Sequence, residues 1–151
     1  MANNFDNSHL QNEINDYQSL EGLQILVVDD NEDSLFLTTL ILENYGMQVT
    51  TATSATLALE AIKNLRFDIL IFDIAMPEVD GYSLIRQARR MLLLQKRHPP
   101  AIALTALSSD ESYNTALLSG FQSYINKPVD ASILIEEIAK VLRFSSWENE
   151  E

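Results

Sequence analysis

The chain contains no cysteine, so disulfides, thiolate metal sites and cysteine nucleophiles are excluded. Glycine is scarce. None of the four residues forms a G-x-G-x-x-G or a P-loop after a strand, which argues against a dinucleotide or nucleoside triphosphate site. Basic residues are also few: 10 Lys and Arg stand against 22 Asp and Glu, for a net charge of −12. Nucleic-acid binding leans on phosphate neutralisation, and this balance argues against it. Arg86, Arg89, Arg90, Lys96 and Arg97 do cluster, on one predicted helix and its exit, and read as a solvated face. No apolar run approaches the ~20 residues needed to span a bilayer, so no membrane partner is expected. The opening Met1-Ala2-Asn3-Asn4 lacks the basic and apolar regions of a signal peptide. The cytoplasm is the expected location.

What the chain does have is a regular alternation of strand and helix signals. With 151 residues, 46% of them hydrophobic, it can bury one ordinary core. Residues 1–21 form a polar, Asn- and Gln-rich extension in which Phe5, Leu10, Ile14 and Tyr17 fall near a helical spacing. Either a frayed segment or a short docking helix fits that pattern. From Gly22, strands are predicted at about 24–29, 47–52, 69–72, 101–104 and 121–125. Helices are predicted at about 32–45, 54–65, 81–95, 109–119 and 130–142, with Ser54, Ser109 or Asp110, and Asp130 as caps. In the first helix, Leu37, Ile41 and Tyr45 are expected to face the core, leaving Leu35, Phe36 and Leu40 on an outward face. The division that follows is an extension 1–21, a domain 22–143 and a mobile acidic tail 144–151 carrying Trp147. Five strands alternating with five helices specify a three-layer α/β fold around a parallel sheet with right-handed crossovers.

The strand ends carry the chemistry. The first predicted strand runs into Asp29-Asp30 and the third into Asp73; the fourth ends at Thr105-Ala106 and the fifth at Asn126-Lys127-Pro128. In a parallel sheet these ends share one edge, where open α/β sheets hold their ligands. Each residue has a plain structural alternative. Asp30 or Asn31 could cap a helix, Asp73 could be a satisfied turn aspartate, Thr105 a β-branched strand residue and Lys127 a solvated lysine. Together they describe more. Adjacent carboxylates repel, and a hard cation such as Mg²⁺ relieves that repulsion. A carboxylate can attack phosphorus to give an acyl phosphate, while a hydroxyl and an ammonium supply ligands to the phosphoryl oxygens. The Lys127–Pro128 bond is a candidate for the cis isomer, which would fix the lysine's direction. His9 and His98 read as solvated loop residues without a partner at catalytic spacing.

As a set, Asp-Asp, then F-D-I-A-M-P-E-V-D-G, then L-T-A, then Y-I-N-K-P resembles the receiver domains of two-component response regulators, over about residues 23–143. The resemblance implies a flavodoxin-like sheet of order 2-1-3-4-5. It implies that Asp73 accepts a phosphoryl group from a sensor histidine kinase or histidine phosphotransfer protein. Asp29, Asp30, Asp73 and the Ala75 carbonyl would hold Mg²⁺, and Lys127 would bind a phosphoryl oxygen. Thr105 and Tyr124 would switch the conformation, and small Ala106 would leave the pocket open. Met76-Pro77 and Gly81 match the loop after the acceptor strand. The output surface would include Tyr113, Leu117, Tyr124 and parts of helix 131–142. On this basis the chain is expected to be a stand-alone receiver, catalysing only its own phosphorylation and dephosphorylation. It would signal to a downstream protein target or relay the phosphoryl group onward, with homodimer formation left open. Ala75 and Leu107 are apolar where polar side chains often tune hydrolysis, so a long-lived phosphorylated form is expected. The outward face of the first helix would meet the phosphodonor's helical bundle or the chain's own N-terminal segment.

Two alternatives use the same features. A haloacid dehalogenase-type phosphatase needs a second Asp two residues after the nucleophile, where this chain has Ala75. A phosphorylation-independent interaction module of the same fold usually lacks a site residue, and this chain retains all of them.

Overall fold

Three short runs rich in Ile, Leu, Val and Ala, with the more polar runs Gln48–Ala52 and Ser123–Asn126, become the five strands of one sheet in the computed structural model, which describes residues 20–106 and 109–150. The order along the chain is β1 (Gln24–Val28), α1 (Glu32–Asn44), β2 (Gln48–Ala52), α2 (Ala55–Asn64), β3 (Ile69–Asp73), α3 (Gly81–Leu94), β4 (Ala101–Thr105), α4 (Asp110–Ser119), β5 (Ser123–Asn126) and α5 (Ala131–Glu150). All pairings are parallel and the spatial order is β2-β1-β3-β4-β5. The expected three-layer arrangement is therefore present.

Alternation along the strands divides the core in two. Leu26, Val28, Leu70, Phe72, Ala101 and Ala103 face one side and pack with Ala58, Ile62, Leu84, Ile85, Ala88 and Ala116 from α2, α3 and α4. Ile25, Val27, Ile69, Ile71, Ile102 and Leu104 face the other, against Leu35, Ile41 and Leu42 of α1 and Leu134, Ile135, Ile138 and Val141 of α5. β3 and β4 are buried at every position, which explains why their sequences read as continuous apolar runs. Leu20, ahead of β1, belongs to this second cluster and is fully buried.

Side chains cap the helices at their N-termini. Asn31 accepts a hydrogen bond from the Ser34 amide, Ser54 from Leu57, Asp80 from Ser83, Ser109 from Ser112 and Asp130 from Ile133.

Several sequence expectations are corrected. The buried face of α1 is Leu35, Thr38, Ile41 and Leu42, whereas Leu37 and Tyr45 are exposed. Apolar residues nearly encircle this helix, so two stripes satisfied the spacing, and the one containing Leu35 packs in the core. Phe36 and Leu40 do lie outward. Arg89 is not solvated, since its guanidinium donates to the carbonyls of Gly120 and Pro99 and to Gln122 Oε1. β5 begins at Ser123, and Phe121 is buried ahead of it. Helix α5 runs to Glu150, past the expected end at Leu142, because no Gly or Pro interrupts it. The readings at Phe5, His9, Leu10, Ile14, Tyr17 and Leu107, and that of the Trp147 side chain, lie outside the described residues.

Candidate functional site

Strand order decides what can meet at the carboxyl edge. β1 and β3 are neighbours with Val28 opposite Phe72, so the chain leaves the sheet side by side at Asp29 and Asp73. β4 flanks β3 and ends at Thr105, opposite Asn126 of β5, and Lys127 follows. The sheet's own hydrogen bonding continues into these ends: Ile74 N–H donates to the Leu104 carbonyl (2.9 Å) and Lys127 N–H to the Thr105 carbonyl (2.7 Å).

Carboxylate oxygens of Asp29, Asp30 and Asp73 all lie within 4.8 Å of one another. Asp29 is fully buried and Asp73 nearly so, while Asp30 is exposed. None of the three caps α1, because Asn31 does. Asp29 Oδ1 instead accepts from the Asn31 amide (3.0 Å) and Asp73 Oδ1 from the Ala75 amide (3.2 Å). Lys127 Nζ reaches both buried acids, 2.8 Å from Asp29 Oδ2 and 3.3 Å from Asp73 Oδ2. The Lys127–Pro128 bond is cis.

The electrostatics follow from this crowding. Burial, and then the Asp29 charge, push the Asp73 carboxyl up from 3.8 to about 6 against the opposing pull of Lys127. Burial acts to lower the Lys127 ammonium, but its hydrogen bond to Asp29 and the charges of Asp29 and Asp73 raise it overall. The cluster is thus short of positive charge: beside three carboxylates stands Lys127, which pairs with Asp29 and Asp73.

Thr105 is fully buried at the end of β4. Tyr124 is paired in register with Ala103, so Tyr124 and Thr105 face the same side of the sheet, toward α4. Tyr124 is half-buried and meets Tyr113 of α4 edge to face, with ring centroids 5.8 Å apart. Tyr113 and Leu117 are exposed. Ala75 is exposed beside Asp73.

Two contributors had weaker sequence signals. A Cβ on Gly81 would lie 2.5 Å from the Asp73 carbonyl oxygen and 2.8 Å from Ile74 Cα, so only glycine lets the start of α3 close onto the end of β3. The Gly81 amide donates to the Ile74 carbonyl at that contact. Glu78, in the loop between them, takes a left-handed conformation (φ 70°) that a non-glycine residue adopts only at some cost. The Gly in V-D-G was a visible cue for the first; nothing in the sequence marks the second.

Comparison with known proteins places this geometry. Residues 25–139 match the family model described as the response regulator receiver domain. A 14.6 kDa protein of uncharacterised role from Leptolyngbya boryana is 43% identical over 118 residues, covering 78% of this chain and 88% of that one. A receiver domain protein from Methanospirillum hungatei superimposes with a TM-score of 0.75 at 33% identity, covering 85% of this chain and 99% of that one. The receiver domain of the sensor histidine kinase PA1611 from Pseudomonas aeruginosa, solved with a magnesium ion coordinated in its active-site cleft, gives 0.70 at 28% identity, covering 80% and 98%. The chain spans about half the length of the Staphylococcus aureus response regulator SaeR, which it also matches. Among the described residues no helix is long and apolar enough to cross a membrane. With a matching family model over most of its length and the matching sheet order, the chain belongs to the response regulator receiver domain family.

Proposed function

We propose that Asp73 is the phosphoryl acceptor of a two-component signalling pathway, phosphorylated by a sensor histidine kinase or a histidine phosphotransfer protein. The observation that carries this reading is the convergence of Asp29, Asp30 and Asp73 with Lys127 spanning two of them. In the transfer, an Asp73 carboxylate oxygen bonds to phosphorus as the bond from phosphorus to the donor's imidazole nitrogen breaks. The imidazole leaves with the electron pair. Lys127 Nζ, which lies beside Asp73 Oδ2, would take up a phosphoryl oxygen, and the Thr105 hydroxyl another.

The donor set fits a hard divalent cation. Three crowded carboxylates with one ammonium are short of positive charge, and Mg²⁺ commonly takes one or two carboxylates, waters and phosphate oxygens. Asp29, Asp30, Asp73 and the Ala75 carbonyl are the residues that would hold it. When bound, Mg²⁺ supplies neutralisation of the charge on the transferring phosphoryl oxygens.

Phosphorylation places a dianion where one carboxylate charge stood. Thr105 and Tyr124 share a face of the sheet, so movement of the Thr105 hydroxyl toward the phosphoryl group opens space on the side Tyr124 can enter. That shift biases the α4 surface bearing Tyr113 and Leu117, where the downstream protein would read it. Beside Asp73, Ala75 offers only a methyl group to an attacking water, so the acyl phosphate decays slowly; a half-life of seconds at neutral pH would contradict this.

The test is incubation of the full chain with a small phosphodonor, with and without Mg²⁺, read by intact-mass spectrometry against Asp73→Asn. Incorporation that requires both Mg²⁺ and Asp73 is expected. A folded protein that takes up no phosphoryl group would instead be a phosphorylation-independent interaction module.

A further inference from the structure

The opposite, amino edge of the sheet carries a second concentration of charge, of reversed sign. A cleft of about 370 Å³ opens where β1, β3 and β4 begin. That volume falls in the range of small-molecule sites. Arg66, Lys96, Arg97 and His98 line it, along with Asp68. Three of the ten Lys and Arg of a chain with net charge −12 thus gather at one cleft. The strands between the two edges are five residues long, a separation of ~15 Å from the acidic cluster.

The local structure holds these charges together at a cost. Lys96 sits in a left-handed conformation (φ 58°), where glycine would be more easily accommodated. Arg97 donates from one terminal nitrogen to the Phe67 carbonyl (3.3 Å), while its other terminal nitrogen is buried with no hydrogen-bond partner. Burial and then the neighbouring Arg66 charge hold the Arg97 guanidinium below its ordinary value. Asp68, the acid at hand, accepts from the Gln24 amide (2.8 Å), and its charge offsets only part of that lowering. An unpaired buried donor and adjacent like charges are what a bound anion would relieve. Half-buried Leu23 and Leu142 add an apolar wall from β1's approach and α5.

We propose that this cleft binds a small organic anion bearing phosphate or carboxylate groups, its charged end held by Arg66, Lys96, Arg97 and His98 and its body lying against Leu23 and Leu142. Guanidinium forks match the oxygens of either group, and the wall distinguishes an organic anion from a bare ion. The site stands apart from phosphoryl chemistry at the other edge and does not depend on it.

The test is an NMR titration of the full chain, free of Mg²⁺, with a nucleoside monophosphate, citrate or inorganic phosphate, and with the neutral nucleoside as control. Saturable shifts at the amides of Phe67, Lys96 and Arg97 are expected for the two organic anions, with weaker binding of inorganic phosphate. Arg97→Gln should weaken binding about tenfold. Arg66→Gln, at an exposed position, should do so by a similar factor with an unchanged melting temperature, which covers the case of a misfolded Arg97 variant. No saturable shift with any anion, equal shifts with the neutral nucleoside, or shifts confined to Asp30 and Ala75 would overturn the proposal. Unchanged affinity in Arg66→Gln would do so too. Inorganic phosphate binding as tightly as the organic anions would overturn the part assigned to Leu23 and Leu142.

Discussion

The two edges of the sheet concentrate charge by different means. At the carboxyl edge, Asp29 just after β1 and Asp73 at the end of β3 are buried on neighbouring strands in fixed register, with the Lys127 amide bonded to the Thr105 carbonyl. At the amino edge, Arg66, Lys96, Arg97 and His98 sit on connections between elements, and Arg66, Lys96 and His98 are exposed. Charges fixed by a sheet and shielded from water cannot separate to relieve repulsion, whereas charges on exposed loops are screened. The acidic edge should therefore weigh on stability more than the exposed charges of the basic edge do.

The largest expected effect comes from removing the one cation of the acidic edge. Lys127→Ala strands two buried carboxylates and should cost about 3 kcal/mol in urea denaturation at neutral pH with chelator present. A loss within the scatter of surface substitutions would show the acidic edge to be as relaxed as the basic one. Gly81→Ala tests the backbone contact behind Asp73: the added Cβ meets backbone atoms that cannot swing away, and about 2 kcal/mol should be lost. Phosphotransfer should fall as well, since the loop after Asp73 must move.

Asp73→Asn has the opposite sign. Because the folded carboxyl is raised from 3.8 to about 6, the native state holds its proton more tightly than the unfolded chain does. Wild-type stability from this group is therefore lost as pH rises between those values, and the ionised form is a burden above about 6. Without metal, the Asn variant should be more stable than wild type by about 1–2 kcal/mol at neutral pH, with the gain vanishing toward pH 4. Added Mg²⁺ should narrow the gap by stabilising wild type more. The smallest effect is expected at the other edge, where Arg66→Gln should change stability by no more than about 0.5 kcal/mol. A large change there would erase the contrast.

How far each edge could be read from the sequence follows the same division. Asp29, Asp73, Thr105 and Lys127 terminate apolar runs, so naming the strands was enough to place them on one edge, and the structure brings the three acids and Lys127 together. The amino edge was illegible. Arg66 and Asp68 lie on one loop and Arg97 on another with no periodicity to link them, and Arg89, read as solvated, is held by carbonyls about ten and thirty residues away in the chain. Helix α1 misled for a different reason. Leu35, Phe36, Leu37, Leu40, Ile41 and Leu42 cover most of its circumference, and buried Thr38 weakened the true stripe. Spacing identifies a face only when the other faces are polar. The end of α5 was missed although no Gly or Pro follows Leu142, and helix termination is a matter of Gly, Pro and capping.

One consequence of the Asp29–Lys127 ion pair concerns how the chain is made. Its partners are 98 residues apart, near opposite ends of the domain. During synthesis from the N-terminus, the two acid-bearing strands emerge long before the lysine does, and closing so long a loop comes late among non-local contacts. A nascent or truncated chain thus carries its acidic residues without their counter-ion. Only the finished domain assembles the full cluster, so the joined cluster is itself a mark of completed folding.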